Sequence, residues 1–199
     1  MKDAFLSLPW RALIPLVLLA VLTAIRPAVA DDVPDLPHIT VMPCDLLNGV
    51  VLAPDQPDPV AATVVQFSIR NWNNEPIRDP VVVFEPGPGL RFCVGMGFST
   101  IGDEEGRATM VLRGAGCLQD VSGAARFRAN GVIIRDYRNA KSPDWDGSGA
   151  NGQVDLADLV RFSSFTDSCF DFNNNGGIDL GDTIIFTNGF SPAHRCQLQ

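Results

Sequence analysis

Two segments of the chain repeat each other 24 residues apart, NGQVDLADLVRF from Asn151 and NGGIDLGDTIIF from Asn175. Gly152 aligns with Gly176, Val154 with Ile178, Asp155 and Asp158 with Asp179 and Asp182, and Phe162 with Phe186. A fixed register of this kind marks an internal duplication. In each copy a polar stretch ends in a glycine bend and runs into an apolar segment. A loop followed by a helix is therefore expected twice, with Asp179 capping the free amides of the second helix.

The second copy begins in DFNNNGGIDLGD, 171–182, where oxygen-bearing side chains recur at every second position before the bend. A twelve-residue calcium loop needs such alternation, glycine at its sixth position, a backbone carbonyl at the seventh and a carboxylate at the last. Asp171, Asn173, Asn175, Gly176, Gly177 and Asp182 supply these in order, with Asp179 placed to act through a water. Two neutral Asn donors set the expected affinity in the range of extracellular modules, on the order of 10⁻⁵ to 10⁻³ M. The first copy is longer. It spans fifteen residues, from Asp144 to Asp158, with Gly152 at the bend. Asp144, Asp146, Asn151, Asp155 and Asp158 are its oxygen ligands, Ser148 is an alternative, and the loop must bulge to gather them.

The closing Asp182 in place of the usual Glu, a helix after the loop rather than before it, and duplication at this spacing make residues 142–196 resemble a type I dockerin domain. The second repeat carries the stronger resemblance. It implies a small α-helical module, over 142–199, that binds a cohesin-type or other extracellular protein partner. Dockerins attach secreted proteins, often polysaccharide-degrading enzymes, to a scaffold. Recognition in that family leans on the two residues before each final aspartate, here Leu156-Ala157 and Leu180-Gly181. Polar pairs are usual there, so these apolar residues are expected to pack against the neighbouring domain.

Upstream, 31–141 reads as strands and turns. VAATVVQFSIR (60–70), PVVVFEP (80–86), RATMVLRG (107–114) and ANGVIIRDY (129–137) are rich in β-branched residues and are separated by Pro, Gly, Asn and Asp. That pattern predicts an antiparallel β-sandwich. Val65, Phe67 and Ile69 alternate with Gln66, Ser68 and Arg70, which puts the apolar set on one face. Ala108, Met110 and Leu112 do the same. Gly95-Met96-Gly97 reads as a turn. STIGDEEGRATMVLRGAGC, 99–117, is similar to hairpins of bacterial immunoglobulin-like surface domains, so the sandwich is expected to be immunoglobulin-like. RNAKSPD, 138–144, is read as a short linker that keeps the two domains in contact.

Residues 1–30 carry a basic start at Lys2 and Arg11, an apolar run from Ala12 to Ile25 and a small-residue site at Ala28-Val29-Ala30, which together predict a secretory signal. The run is shorter than the ~20 residues that span a bilayer, so no membrane span is expected in the mature protein. Without the signal, 12 basic residues face 22 acidic ones. Such a surface excludes nucleic acid, whose binding depends on Lys and Arg, and favours cations such as Ca²⁺.

Five cysteines, Cys44, Cys93, Cys117, Cys169 and Cys196, lie in the exported part. Disulfides persist there, and the odd number leaves one thiol over. Cys169 and Cys196 bracket the second loop and its helix and are expected to pair, while the choice among Cys44, Cys93 and Cys117 stays open. His38 and His194 stand in no motif that would supply a base to a thiol. No nucleophile elbow or zinc helix occurs, and no enzyme activity is expected. Trp72 and Trp145 could stack on sugars, but capping of the sandwich core from a turn for Trp72 and packing beneath the loop for Trp145 are the expected roles. The chain thus reads as a secreted, non-catalytic, calcium-binding protein for attachment or assembly at the cell exterior, with a link to polysaccharide degradation. Its alternatives are a small carbohydrate-binding protein and a structural one in which calcium only stabilises the fold.

Overall fold

Alternation along one short segment organises the β-rich part. Strand β3 (Val64–Ser68) turns Val65 and Phe67 inward and leaves Gln66 exposed, and Ile69 beyond it is buried. The computed structural model describes residues 32–54, 60–147, 149–193 and 195–199. The expected secretion signal lies outside them. Asp32–Gln199 forms one compact unit, mainly β, with several antiparallel sheets. Among the described residues no helix is long and apolar enough to cross a membrane.

Strand β3 is the centre of a three-stranded antiparallel sheet between β1 (Thr40–Met42) and β7 (Arg107–Val111). Ala108, Met110 and the following Leu112 are buried, as the pattern predicts. A second sheet has the order β11-β10-β4-β6, from β4 (Val81–Pro86), β6 (Ser99–Ile101), β10 (Ala125–Ala129) and β11 (Val132–Tyr137). The two sheets meet through aromatic side chains. Phe67 contacts Phe127 of β10 edge-on at 5.0 Å, and Phe127 lies 5.2 Å from Phe84 of β4. Each such buried ring contributes about 1.5–3 kcal/mol through removal from water.

Between Cys44–Leu47 (helix α1) and the loops described below, smaller pieces close the body. β2 (Val50–Val51) pairs in parallel with β12 (Ala140–Lys141), which pairs antiparallel with β9 (Cys117–Leu118). β5 (Arg91–Phe92) pairs with β8 (Gly114–Ala115). The segment 138–144, expected as a linker, therefore contains the middle strand of a sheet. Asn139, Lys141, Ser142 and Asp144 within it are all buried. The polar residues of this segment find their partners inside: Ser142 Oγ donates to the Gly114 carbonyl and Asn139 Nδ2 to that of Asn48.

The expected Cys169–Cys196 pairing is overturned. Cys93 bonds Cys196 and Cys117 bonds Cys169, leaving Cys44 free and buried. Proximity in sequence favoured a local loop closure, whereas the fold sends each cysteine of the tail to a different part of the β body, Cys169 to β9 and Cys196 to the residue after β5. Trp72 also departs from expectation. It is 62% exposed at a turn fixed by Asn71, whose Oδ1 accepts the Asn73 and Glu75 N–H groups. Trp145 packs against a separate buried cluster that includes Val154, Phe170 and Phe172, as expected.

Candidate metal centre

The tail contributes helix α2 (Leu156–Phe162) and helix α3 (Leu180–Gly189), one from each repeat. Both start with the same capping box. Asp155 accepts the Ala157 N–H at 2.7 Å and Asp179 the Gly181 N–H at 2.7 Å, while Asp158 and Asp182 reach back to the capping residue's own N–H at 2.8 and 2.9 Å. These four contacts satisfy donors that every helix start leaves free. The equivalent Phe162 and Phe186 stack at 4.3 Å with their planes 8° apart. Around them Val51, Val154, Phe170 and Phe172 complete a second core, so β2 of the body reaches into the tail's interior.

Loop 2, 171–182, folds on its first and last carboxylates. Asp171 accepts the Asn175 N–H at 3.1 Å and the Gly176 N–H at 3.0 Å. Asp182 accepts from Phe172 at 2.7 Å, Asn173 at 3.3 Å and Asp179. Asn173 Oδ1 takes the Asn175 N–H, Asn175 Oδ1 takes that of Gly177, and Asn175 Nδ2 donates to Asp179 at 2.7 Å. Gly176 sits at φ +96°, a bend that favours glycine.

Loop 1, 144–158, repeats this despite its extra residues. Asp144 accepts the Asn151 N–H at 3.1 Å and the Gly152 N–H at 2.8 Å, Asn151 Oδ1 takes the Gln153 N–H, and Asn151 Nδ2 donates to Asp155 at 2.9 Å. Asp158 takes the Asp155 N–H and the backbone N–H of Trp145, the counterpart of Phe172. The insertion is absorbed in a local turn where Asp146 Oδ1 accepts the Gly149 N–H. Ser148, the alternative donor, lies outside the described residues. Gly152 is the bend at φ +89°.

All eleven expected site residues thus fall in two loops of the same local design. Asp144, Asp158, Asp171 and Asp182 are buried, while Asp155 and Asp179 stay at the exposed helix starts. Burial pushes the Asp144 carboxyl up to about 6 and that of Asp158 up to about 7, against the N–H groups that favour their charged forms. Burial likewise raises Asp182. The Asn175 amide and the Gly181 N–H lower Asp179.

Among the described residues, no Lys, Arg or His forms an ion pair with the four buried carboxylates. The loops' N–H groups and, for Asp171 and Asp182, the nearby Lys141 ammonium compensate this buried negative charge only in part. Burying charge is costly, and a hard cation with oxygen ligands would offset the remainder. The donor set fits that ion. Among the described residues no three His, Cys, Asp or Glu side chains converge into a ready cage. The carboxylates face the loops' own N–H groups, and a loop of this type draws its remaining oxygens from Asn side chains and a backbone carbonyl.

Two polar groups of the site escaped the sequence reading. The buried Lys141 ammonium donates to the carbonyl of Asp171, and burial lowers its pKa while the charges of Asp171 and Asp182 oppose that shift. Asn174 donates its amide to the Leu47 carbonyl of α1. A Lys in RNAKSPD, read as a short linker, gives no sign of its direction, and only the strand it occupies reveals it. Leu156 and Leu180, expected to pack on the body, instead stand 68% and 74% exposed.

No family model, no curated protein and no solved structure matches this chain.

Proposed function

We propose that the protein is an exported, non-catalytic calcium-binding protein whose duplicated, dockerin-like tail serves attachment to a cohesin-type or other extracellular protein partner, next to an immunoglobulin-like β body. The observation that carries the reading is the closure of loops of fifteen and twelve residues through the same contacts around buried carboxylates. Sequence duplication alone would not conserve those bonds across an insertion. In loop 2 the ion would be held by Asp171, Asn173, Asn175, the Gly177 carbonyl and Asp182, with Asp179 through a water. In loop 1 Asp144, Asp146, Asn151, Asp155 and Asp158 would hold it. Calcium supplies charge compensation there.

Attachment is favoured over a purely structural role by one feature. Leu156 and Val160 on α2, and Leu180 and Ile184 on α3, occupy equivalent positions and are all more than half exposed. An exposed apolar pair repeated at equivalent positions of two helices suits an interaction surface better than a purely stabilising role. The two disulfides agree with an oxidising compartment.

The test is a calorimetric calcium titration of the chelator-stripped protein lacking residues 1–30, with thermal unfolding before and after. Two bound ions and a large rise in Tm are expected. A single ion would remove loop 1 from the proposal, and no binding at millimolar calcium would overturn it.

A further inference from the structure

The two loops share a design but are moored to the β body by different disulfides. Cys169 lies two residues before Asp171, the first donor of loop 2, in a 3-10 turn at Ser168–Phe170. Its bridge runs to Cys117 in β9, beside the strand whose Lys141 holds the Asp171 carbonyl, and Ser168 donates to Gln119 in the same place. Loop 1 is reached from the other side. The Cys196 N–H donates to the Gly152 carbonyl at 2.8 Å, and a side chain built on Gly152 would meet the Cys196 carbonyl at 2.1 Å. Gln153 and Arg195 form a β-bridge, Cys93 bridges to Leu198, and Arg91 holds the Ala150 carbonyl at 3.0 Å. Cys196 is then bonded to Cys93, just after β5.

We infer that each disulfide orders one calcium loop, Cys93–Cys196 loop 1 and Cys117–Cys169 loop 2, so that the calcium affinity of each loop is gated by oxidation of its own bridge. This rests on the calcium reading above. Formation of either bridge takes two protons and two electrons from a pair of thiols and passes them to a disulfide oxidant, which leaves as a dithiol. Reduction by dithiothreitol is the reverse, with the reagent becoming its cyclic disulfide. A bridged loop has fewer arrangements to lose when it closes on the ion, because the crosslink has already restricted them. Linkage is reciprocal: if oxidation tightens calcium binding by some factor, calcium protects the bridge against reduction by that factor.

The experiment compares wild type with Cys93→Ser/Cys196→Ser and with Cys117→Ser/Cys169→Ser. Amide hydrogen exchange is followed at the Gly152 and Gly176 amides without calcium, and calcium is then titrated. The first variant should lose protection in 144–158 and weaken one calcium step by about tenfold, while 171–182 and the other step stay as in wild type. The second should do the converse. Equal loosening of both loops by either variant, or no change in exchange and affinity, overturns the inference.

Protection of the β10 amides, paired on both sides, reports whether a variant is folded. If it is not, the wild type decides. In dithiothreitol redox buffers, saturating calcium should raise the reduced-to-oxidised ratio that opens half of each bridge by about tenfold, and an unchanged ratio overturns the inference. Absence of any calcium binding by the oxidised protein would overturn the calcium reading and the gating with it, while loop-selective exchange would still establish the mooring.

Discussion

Loop 1 and loop 2 close through equivalent hydrogen bonds at their ends and bends, yet they differ in length, charge and surroundings. Loop 1 carries four aspartates among its donors and loop 2 three, with Asn173 standing where loop 1 has Asp146. Loop 1 has its bend pressed against the chain's C-terminal segment, whereas a side chain built on Gly176 meets no atom within 4 Å. What is kept is the pair of end carboxylates and the bend between them. A loop's closure is therefore set by where its first and last carboxylates sit, and residues inserted between Asp146 and Asn151 are tolerated because loop length costs little entropy.

The strongest challenge to that equivalence is removal of the closing acids. Asp182→Ala deprives the Phe172, Asn173 and Asp179 N–H groups of their acceptor, and loss of buried acceptors should lower stability by about 3 kcal/mol or more. The bound calcium should fall from two ions to one. Asp158→Ala should do the same at the other loop, and retention of two ions by it would show that loop 1 does not close on its ion through Asp158. Calorimetry and thermal unfolding read both.

Acid titration separates the loops next. Asp144 and Asp158 are raised by burial to about 6 and about 7, above the ~3.9 of an unfolded aspartate. The calcium-free fold thus binds these protons more tightly than the unfolded chain. Their contribution is fully present below about pH 4 and is lost as the pH rises through 6 to 7. Asp45 and Asp167 work in the opposite sense. Burial opposes their ionisation, but hydrogen bonds from Arg135 and from Arg161 outweigh it and lower both, so they destabilise on acidification. The Asp158→Asn variant isolates the effect. Its Tm, measured with chelator, should depend less steeply on pH between 5 and 8 than that of wild type. Calcium held as proposed would displace protons from these groups, so binding at pH 6 should release more protons than binding at pH 8.

The bend glycines give a smaller contrast. Gly176→Ala should cost about 1–2 kcal/mol for a side chain at positive φ with open space around it. Gly152→Ala should cost more, because the new methyl also meets the Cys196 carbonyl. Equal losses in urea unfolding would mean that the C-terminal segment yields freely and does not hold loop 1.

Much of this was legible in the sequence. The 24-residue register located both loops and both helix starts, since Asx side chains and glycine bends act over a few residues and leave a direct imprint. Strands with clear alternation, β3 and β7, were equally plain. β10 was not, although it is an inner strand of its sheet, because Ala125, Arg126, Phe127, Arg128 and Ala129 offer small and charged residues to a segment buried on one face. Asn130-Gly131 was the available signal. Both residues have positive φ, 46° and 83°, as a two-residue hairpin turn requires. The disulfide pattern had no local signature at all, since Cys93 and Cys196 are 103 residues apart and meet only through the whole fold.

The smallest expected effect on stability sharpens the comparison most for function. Leu180→Ser alters a side chain that is 74% exposed, so the melting temperature and both calcium sites should stay as in wild type, with a change within about 0.5 kcal/mol. Leu156→Ser should behave alike. Had these residues been packed on the β body, each loss would have resembled a core truncation of about 2–5 kcal/mol. If the exposed pairs on α2 and α3 are alternative copies of one contact surface, a partner should tolerate either single change and fail only with both. If only one repeat engages, one of the single variants should abolish capture and the other should not. Binding measured on immobilised protein with the three variants side by side would tell whether duplication of the loops also duplicated the surface they support.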